Sequence, residues 1–344
     1  MAALGALGAT GGAVAGFALG RSWPLGPNWV THDFDVDLGL ASPYVISYEG
    51  PYEPEKQVDD DGVVITEYAG QRVYHPVNAS WYLFPQLHSY EIDGSSSARL
   101  RPRHDPVPAA RRREALPPRV RGRRGTGGRI PVVPVPLRAF PGGNGVPWYS
   151  GMAQGMMLSH MVRMHEVTGE GTWLETAHLI FNSFRHYRDQ EAENSAPWFV
   201  SFHDEGDRRF TTFEEYPSSD PGQTSHVANG NIYAIWGVYD YLRATEDRYA
   251  RTLLSRALAT LQESFDSYRV AGQPSLYGMT PWSYTTWSNP DGYHRGVTTQ
   301  LRRTAALSQS ATFEEQADIL EADIEAFDQH RAQEAQQAED LQES

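Results

Sequence analysis

The chain has 344 residues, of which 40% are hydrophobic, and this is enough apolar material for one large domain or two smaller ones. Its formal net charge is −14, and its basic residues are all arginine except Lys56, a balance that argues against nucleic-acid binding as the main function. It has no cysteine, so disulfides, thiolate zinc sites and cysteine nucleophiles are excluded. Any chemistry must therefore come from oxygen and nitrogen groups.

The N-terminal part of the sequence divides into two stretches. Residues 1–22 form an apolar leader rich in alanine and glycine, typical of the middle of an export signal, although the positive start of such signals is missing. An exported or cell-surface protein is slightly favoured over one with a disordered leader, and the location stays open. Residues 23–70 combine proline and glycine with apolar runs at Tyr44–Tyr48 and Val63–Thr66, which predict a few strands or extended loops.

A helical domain is predicted from residue 71 to residue 330, with one interruption. Its first helix should follow His75, because large apolar side chains recur there at helical spacing: Trp81, Leu83, Phe84, Leu87 and Tyr90. The interruption at 96–143 places many arginines among prolines and glycines and has neither a helical nor a strand period. We consider two interpretations of this stretch, a basic disordered linker and a segment translated in an altered reading frame.

After Trp148 the apolar pattern predicts helices in pairs. The pairs are Tyr149–Val167 with Trp173–Tyr187, Val227–Leu242 with Ala250–Tyr268, and Val297–Leu307 with a helix carrying Phe313 to Phe327 on one face. Residues 331–344 form a polar tail, which we expect to fray beyond Gln329. Successive helical hairpins predict a mainly α fold, an α/α toroid or incomplete α/α barrel, whose loops form the site at one mouth.

Four short motifs follow one another in this helical part. They are Trp148-Tyr149-Ser150-Gly151-Met152-Ala153-Gln154-Gly155, Glu214-Glu215-Tyr216-Pro217, Asn229-Gly230 with Tyr239-Asp240, and Tyr293-His294 with Gln300-Leu301. Tyr216 of the second motif and Tyr293 of the fourth are expected in loops. In this order and approximate spacing, the motifs resemble the C-terminal domain of the D-glucuronyl C5-epimerases over residues 148–307.

The resemblance implies an isomerase that converts D-glucuronic acid into L-iduronic acid residues within a heparan-type polysaccharide, without a cofactor. It implies that Glu215 and Tyr293 act as the two bases on opposite faces of the sugar, while Tyr216 and Tyr277 hold the substrate or assist the transfer. The predicted substrate-binding residues are Tyr149, Gln154, Asn229 and His294. One of the adjacent carboxylates, Glu214 or Glu215, is expected to be solvated or a capping group.

The chemistry of C5 inversion independently explains these residue types. A carbon-bound proton must leave one face of the ring and another must return to the opposite face, so two proton carriers must flank the sugar. Tyrosine, with an ordinary pKa of about 10, is a poor base at neutral pH but a good acid. A glutamate on one face and a tyrosine on the other therefore form a workable pair.

Two positions depart from the pattern of the family. After Tyr277 the chain reads Gly278-Met279-Thr280, where animal relatives carry a basic residue, and Val297 stands where a second histidine is expected. Both departures concern the group that binds the substrate carboxylate. No single arginine can be assigned to this role from the sequence.

Several other functions are left open. A polysaccharide lyase is the closest alternative, because β-elimination begins with the same abstraction of the C5 proton, and a toroid glycoside hydrolase or a non-catalytic glycan-binding protein follows. The histidines do not follow a metal-ligand spacing such as His-Glu-x-x-His, so no metal site is predicted. The expected partner is a glucuronate-containing polysaccharide, and a homodimer is left open.

Overall fold

The structure is a computed structural model, and it describes residues 28–44, 58–59, 63–68, 71–93, 149–186, 199–217, 224–279 and 290–343. The predicted leader at 1–22 and the arginine-rich stretch at 96–143 both lie outside the described residues. Within those ranges, none of the helices combines the length and apolarity that crossing a membrane requires.

The described part of the chain is mainly helical, which confirms the predicted fold class. Its helices are α1 Pro76–Asp93, α2 Gly151–Thr168, α3 Gly171–Phe181, α4 Ala228–Thr245, α5 Arg248–Glu263, the single turn α6 Phe265–Tyr268, α7 Pro290–Ser308 and α8 Ala311–Glu343. Two antiparallel hairpins accompany them, formed by β1 Thr66–Tyr68 with β2 Gln71–Val73 and by β3 Val200–Glu205 with β4 Arg208–Phe213.

The helices pack against one another in the predicted pairs. Helix α4 packs against α2 and α7, and α1 packs against α2. Helices α3, α5 and α8 each pack against the helix that precedes them in the pair. Helix α4 is buried along most of its length, and Trp236 and Tyr239 form part of the core. These are helical hairpins, and their closure into a toroid stays a prediction.

Helices α2 and α4 touch through their backbones where two glycines face each other. A Cβ atom added to Gly237 would lie 2.2 Å from the carbonyl oxygen of Gly155, and one added to Gly155 would lie 2.5 Å from the Cα of Ala234. Both distances are well below van der Waals contact. Only glycine allows this approach, which fixes the position of α4 relative to α2.

We expect Gly237→Ala to lower the free energy of unfolding by about 3 kcal/mol, because the added methyl group meets backbone atoms that cannot rotate away. Gly296→Ala is a matched control, since nothing lies within 4 Å of a Cβ atom at this position in α7. The control should be neutral or stabilising by up to about 1 kcal/mol, the helix propensity gained over glycine. Urea denaturation measures both values, and a Gly237→Ala variant as stable as the wild type would contradict the close contact.

The C-terminal helix is longer than predicted. Its apolar face, including Phe313, Leu320 and Ile324, is buried as expected, but the helix continues to Glu343. The expectation that the chain frays beyond Gln329 is therefore wrong. The residues from 331 onward are polar and exposed, and they are rich in alanine, glutamate and glutamine, which favour helix without requiring burial.

The hairpin β3–β4 was not predicted, because the segment between the second and third long helices was expected to be a loop. Its two strands are joined by a two-residue turn at Gly206-Asp207, where Gly206 has a φ of +63°. Aromatic residues at Phe202, Phe210 and Phe213 on either side of this turn are the pattern that indicates a hairpin. The hairpin matters for function because Glu214 and Glu215 follow directly after β4.

Residues 28–44 run across α4 and link it to α1. The hydroxyl of Tyr239 donates to the carbonyl of Asp37 at 2.7 Å, and the hydroxyl of Ser42 donates to the buried carboxylate of Asp240 at 2.6 Å. Tyr44 stacks on Phe84 of α1 with ring centroids 4.6 Å apart. Of the strands predicted at 44–48 and 63–66, residues 45–48 lie outside the described residues, whereas β1 begins at Thr66.

Candidate active site

Glu215 lies where the end of β4 meets the first turn of α4. Its side chain is only 8% exposed and packs against the backbone of Gly230. A Cβ atom at Gly230 would lie 2.4 Å from Oε2 of Glu215 and 2.8 Å from its Cβ. The absence of a side chain at residue 230 therefore creates the space that the carboxylate occupies.

The surroundings of Glu215 raise the pKa of its carboxyl group toward neutral pH. Burial raises the pKa of its carboxyl group to about 7, although hydrogen bonds from the hydroxyls of Tyr216 and Tyr277 lower it in part. Oxygen Oε2 has no hydrogen-bond partner among the residues that the structure describes. A carboxyl group with this pKa, and with one oxygen not bonded to any described residue, is suited to both accepting and releasing a proton near pH 7.

Three tyrosines surround this carboxyl group. The hydroxyl of Tyr277 lies 3.2 Å from the hydroxyl of Tyr216, to which it donates. The rings of Tyr277 and Tyr293 meet edge to face with centroids 5.1 Å apart. The structure thus brings the four predicted catalytic residues together, although they come from three separate segments of the chain.

Tyr293 is held in place by two backbone groups. Its hydroxyl donates to the carbonyl of Tyr277 at 2.6 Å and accepts from the N–H of Asn229 at 3.2 Å. Burial raises the pKa of Tyr293 well above its ordinary value, the N–H of Asn229 opposes this, and the nearby Glu215 adds to it. Burial and Glu215 likewise raise the pKa of Tyr277. Both phenols are therefore neutral near pH 7, where they can donate protons and Glu215 can accept one.

Tyr293 lies on a helix and not in the loop that was predicted. Helix α7 begins at Pro290, whose fixed φ angle suits the first position of a helix, so Tyr293 and His294 belong to its first turns. Two turns further on, Gln300 donates from Nε2 to the carbonyl of Asn229 at 3.3 Å. Tyr293 and Gln300 thus attach one face of α7 to the start of α4.

A family model for the D-glucuronyl C5-epimerase C-terminus matches residues 139–320, slightly more than half of the chain. The chain belongs to the D-glucuronyl C5-epimerase family. The match covers the four motifs and every predicted site residue. It supports a general role as a hexuronyl epimerase, an isomerase, in a family that acts on glucuronate-containing polysaccharides.

In this member of the family, His294 is fully buried and bonded to the backbone through both ring nitrogens. The N–H of Ser275 donates to Nδ1 at 2.8 Å, and Nε2 lies 2.6 Å from the carbonyl of Leu320, to which it donates. This arrangement selects the neutral tautomer protonated on Nε2. His294 connects α7, α8 and the segment leading to Tyr277, so the predicted contact with substrate would require one of these bonds to open.

The other predicted substrate-binding residues occupy two places. Tyr149 and Gln154 are buried at the start of α2, where the N–H of Gly151 donates to the carbonyl of Glu214 at 2.7 Å. Asn229 is partly buried next to Gly230, and its Oδ1 has no hydrogen-bond partner in the described part of the chain. Asn229 is thus next to the glycine that packs against Glu215. Tyr149 and Gln154 instead lie at the start of α2, which binds the carbonyl of Glu214, the residue before Glu215.

Glu214 is fully buried, so the expectation of a solvated group fails for both glutamates. Its carboxylate accepts hydrogen bonds from Ser201, from Thr212 at 2.7 Å and from the ring of His226 at 2.5 Å. Burial raises the pKa of Glu214, but His226 and these hydrogen bonds outweigh it, and the net pKa lies below the ordinary value. Two adjacent glutamates therefore have opposite shifts, and the one with the raised pKa faces the tyrosines.

Sequence reasoning did not identify His226, which lies between Glu214 and the segment carrying Tyr277. Its backbone N–H donates to the Glu214 carboxylate at 3.2 Å, and its carbonyl accepts from Met279 at 3.0 Å. Its φ of +47° is in the left-handed region, which a non-glycine residue adopts only at a cost of about 1 kcal/mol or more. Hydrogen bonds on both sides of His226 hold it there, and they align β4 with Tyr277.

Proposed function

We propose that the chain inverts C5 of D-glucuronic acid residues within a polysaccharide and so forms L-iduronic acid residues. The observation that carries the proposal is the buried carboxyl group of Glu215, with a pKa of about 7 and one oxygen not bonded to any described residue, surrounded by neutral tyrosines. Removing and returning a carbon-bound proton near neutral pH requires a base and an acid of this kind. Membership of the epimerase family supports the same reaction class.

In the proposed reaction, Glu215 as a carboxylate accepts the C5 proton. The C5–H bond breaks, and its electron pair moves into the substrate carboxylate to give an enediolate. The O–H bond of Tyr293 then breaks, and its proton bonds to C5 from the opposite face. One turnover leaves Glu215 protonated and Tyr293 as a phenolate, which the N–H of Asn229 stabilises.

In this scheme the two remaining tyrosines relay the proton of Glu215 to solvent, and the phenolate of Tyr293 takes a proton from solvent, which restores both groups. The hydroxyls of Tyr216 and Tyr277 both hydrogen-bond with Glu215, and the single proton of Tyr277 is shared between Glu215 and the hydroxyl oxygen of Tyr216. They therefore form a hydrogen-bonded route along which a proton leaves Glu215. We assign Asn229 to substrate binding and His294 to positioning of α7, and the contacts of Tyr149 and Gln154 with substrate stay predictions.

The decisive experiment is incubation of a desulfated glucuronate polymer with the protein in deuterated water, followed by NMR. We expect deuterium at C5 and iduronate signals on chains of unchanged length. Unsaturated chain ends would instead identify a lyase, and new reducing ends without unsaturation a hydrolase. A polymer that binds without exchanging deuterium would reject the proposal in favour of a binding protein.

Tyr293→Phe should lower the exchange rate by about 10²-fold to 10⁴-fold while the fold is kept, because the variant retains the ring packing against Tyr277 but has no proton to donate. Tyr268→Phe is a matched control, since it removes a fully buried hydroxyl that has no hydrogen-bond partner among the described residues. The control should exchange at close to the wild-type rate. If Tyr293→Phe kept half of the wild-type rate, Tyr293 would not be the proton donor.

A further inference from the structure

A polyanionic substrate needs a cation, and half of the arginines that the structure describes are already paired with carboxylates. Seven arginines of the described ranges form ion pairs with carboxylates: Arg185, Arg208, Arg209, Arg243, Arg269, Arg295 and Arg302. Arg303 differs from its neighbour Arg302, because no carboxylate of the described residues lies within 4.0 Å of its guanidinium. This group therefore has a positive charge without an acidic partner in the described part of the chain.

The guanidinium of Arg303 is partly buried and held in a defined position. Its Nη1 donates to the carbonyl of Pro43 at 3.1 Å, and its central carbon lies 6.0 Å from the centre of the Trp236 ring. An arginine has five N–H donors in a planar fork. Among the described residues, Arg303 donates only to the carbonyl of Pro43. Most N–H donors of its guanidinium are therefore available to a ligand.

Arg303 lies close to the proposed reaction centre. Tyr233 is three residues after Gly230, which corresponds to about 4.5 Å along the axis of α4. Burial raises the pKa of Tyr233 to about 12, the charge of Arg303 lowers it, and the charge of Glu215 raises it. Tyr233 is therefore near both groups, and Gln300, about one turn before Arg303 in α7, donates to the carbonyl of Asn229 beside Gly230.

Next to this arginine, two aromatic side chains remain accessible. Trp81 of α1 and Tyr233 of α4 are both partly exposed, and their rings meet edge to face with centroids 5.2 Å apart. Tyr44 stacks on the same tyrosine at 5.8 Å and holds it in place. A cation beside partly exposed aromatic rings offers one group for an anion and an apolar surface for the carbons of a sugar ring.

We propose that Arg303, together with Tyr233 and Trp81, forms a subsite that binds a uronate carboxylate of the polysaccharide beside Glu215. This inference rests on the proposed function, because it names the group that binds the same polymer. The guanidinium forms paired hydrogen bonds to a carboxylate in a geometry that a lysine cannot reproduce. Arg303 thus supplies a cation in a protein that lacks the basic residue expected directly after Tyr277.

The test measures the binding of a glucuronate hexasaccharide to Arg303→Gln by calorimetry at two salt concentrations. We expect the dissociation constant to rise about tenfold at low salt, with a weaker salt dependence than in the wild type. A hexasaccharide with its carboxylates reduced to alcohols should bind both proteins equally. Arg302→Gln is the matched control, because it removes the same charge one residue away from a guanidinium that Glu314, Asp318 and Glu321 already neutralise.

The outcomes separate the subsite from the reaction. Unchanged affinity in Arg303→Gln, or an equal loss in Arg302→Gln, would overturn the subsite even if the wild type exchanges deuterium at C5. A selective loss of affinity in a protein that shows no exchange would keep the subsite and reject the epimerase. A wild type that does not bind the hexasaccharide would reject both.

Two further measurements sharpen the result. If the subsite binds the carboxylate of the reacting sugar, kcat for exchange should fall as KM rises, whereas a neighbouring uronate would affect KM alone.

Arg303→Lys retains the charge and should raise the dissociation constant about threefold. This second variant also tests the subsite if circular dichroism shows that Arg303→Gln does not fold. Full affinity of Arg303→Lys at every salt concentration would then exclude paired recognition.

Discussion

Replacing Glu215 with glutamine should lower C5 exchange by about 10³-fold, within the range that general base catalysis contributes. Glutamine has the shape of the protonated side chain and can still accept hydrogen bonds from Tyr216 and Tyr277, but it cannot accept the C5 proton. Deuterium incorporation followed by NMR measures the loss. Glu175→Gln, at an exposed position of α3, makes the same change of charge and should leave the rate unchanged.

The pH dependence of the same variant gives a second measurement. Glu215 acts as a base only when ionised, so the wild-type rate should rise with pH through about 7, the value to which burial raises its pKa. The residual rate of Glu215→Gln should not show this rise. A wild-type profile that rises near pH 4.5, the ordinary value for a glutamate, would contradict the raised pKa, and an equal rise in Glu215→Gln would mean that Glu215 is not the base.

The raised pKa also predicts an effect on stability. The folded protein binds the Glu215 proton more tightly than the unfolded chain, so ionisation of this group lowers stability progressively from pH 4.5 to about pH 7. Glu215→Gln removes this penalty and should be more stable than the wild type by about 3 kcal/mol at pH 8, with little difference at pH 4. Denaturation at the two pH values tests this, and equal stability at pH 8 would contradict the buried charge.

Gly230→Ala should lower the exchange rate by about 100-fold or more although it changes no charged group. The new methyl group would overlap both the carboxylate and the Cβ of Glu215, so the whole side chain must move away from the tyrosines. A displacement of about 1 Å at a reacting group can cost 100-fold in rate. Exchange assays measure the rate, and circular dichroism checks that the fold is kept.

Gly296→Ala serves again as the comparison, since it places a methyl group in open space on another helix. It should retain the wild-type rate. If Gly230→Ala exchanged deuterium as fast as this control, the packing of Glu215 against α4 would not determine the reaction.

The paired helices were predictable because their apolar residues repeat at the helical period, and tertiary packing agrees with that period. The start of α7 was not predictable from the sequence. Gly296 interrupts the local apolar pattern, so the helix was predicted to begin only at Val297. In the structure, the bonds of His294 to Ser275 and Leu320 hold this turn in place. Long-range contacts of this kind compensate for a weak helix former, and the local sequence does not reveal them.

The residues of the candidate site could be listed from motifs, but their environments could not. The sequence shows two glutamates side by side and does not say which is stabilised as an anion, since that depends on His226 and on the unpredicted hairpin. Many arginines likewise compete for the role of carboxylate ligand. Arg303 is distinguished only by packing, which brings it to Tyr233 and leaves it without a described carboxylate partner.

The two-residue turn at Gly206-Asp207 sets the register of the β3–β4 hairpin, and with it which of the two adjacent glutamates faces the tyrosines. Side chains alternate along a strand, so inserting one residue in β4 after this turn would reverse the faces of all the residues that follow. Glu214 would then take the place of Glu215 next to the tyrosines, and Phe213 would take the place of Glu214 next to His226. Which glutamate can act as the proposed proton acceptor therefore depends on the register of β4, which the turn at the far end of the hairpin sets. It is not a property of either glutamate itself.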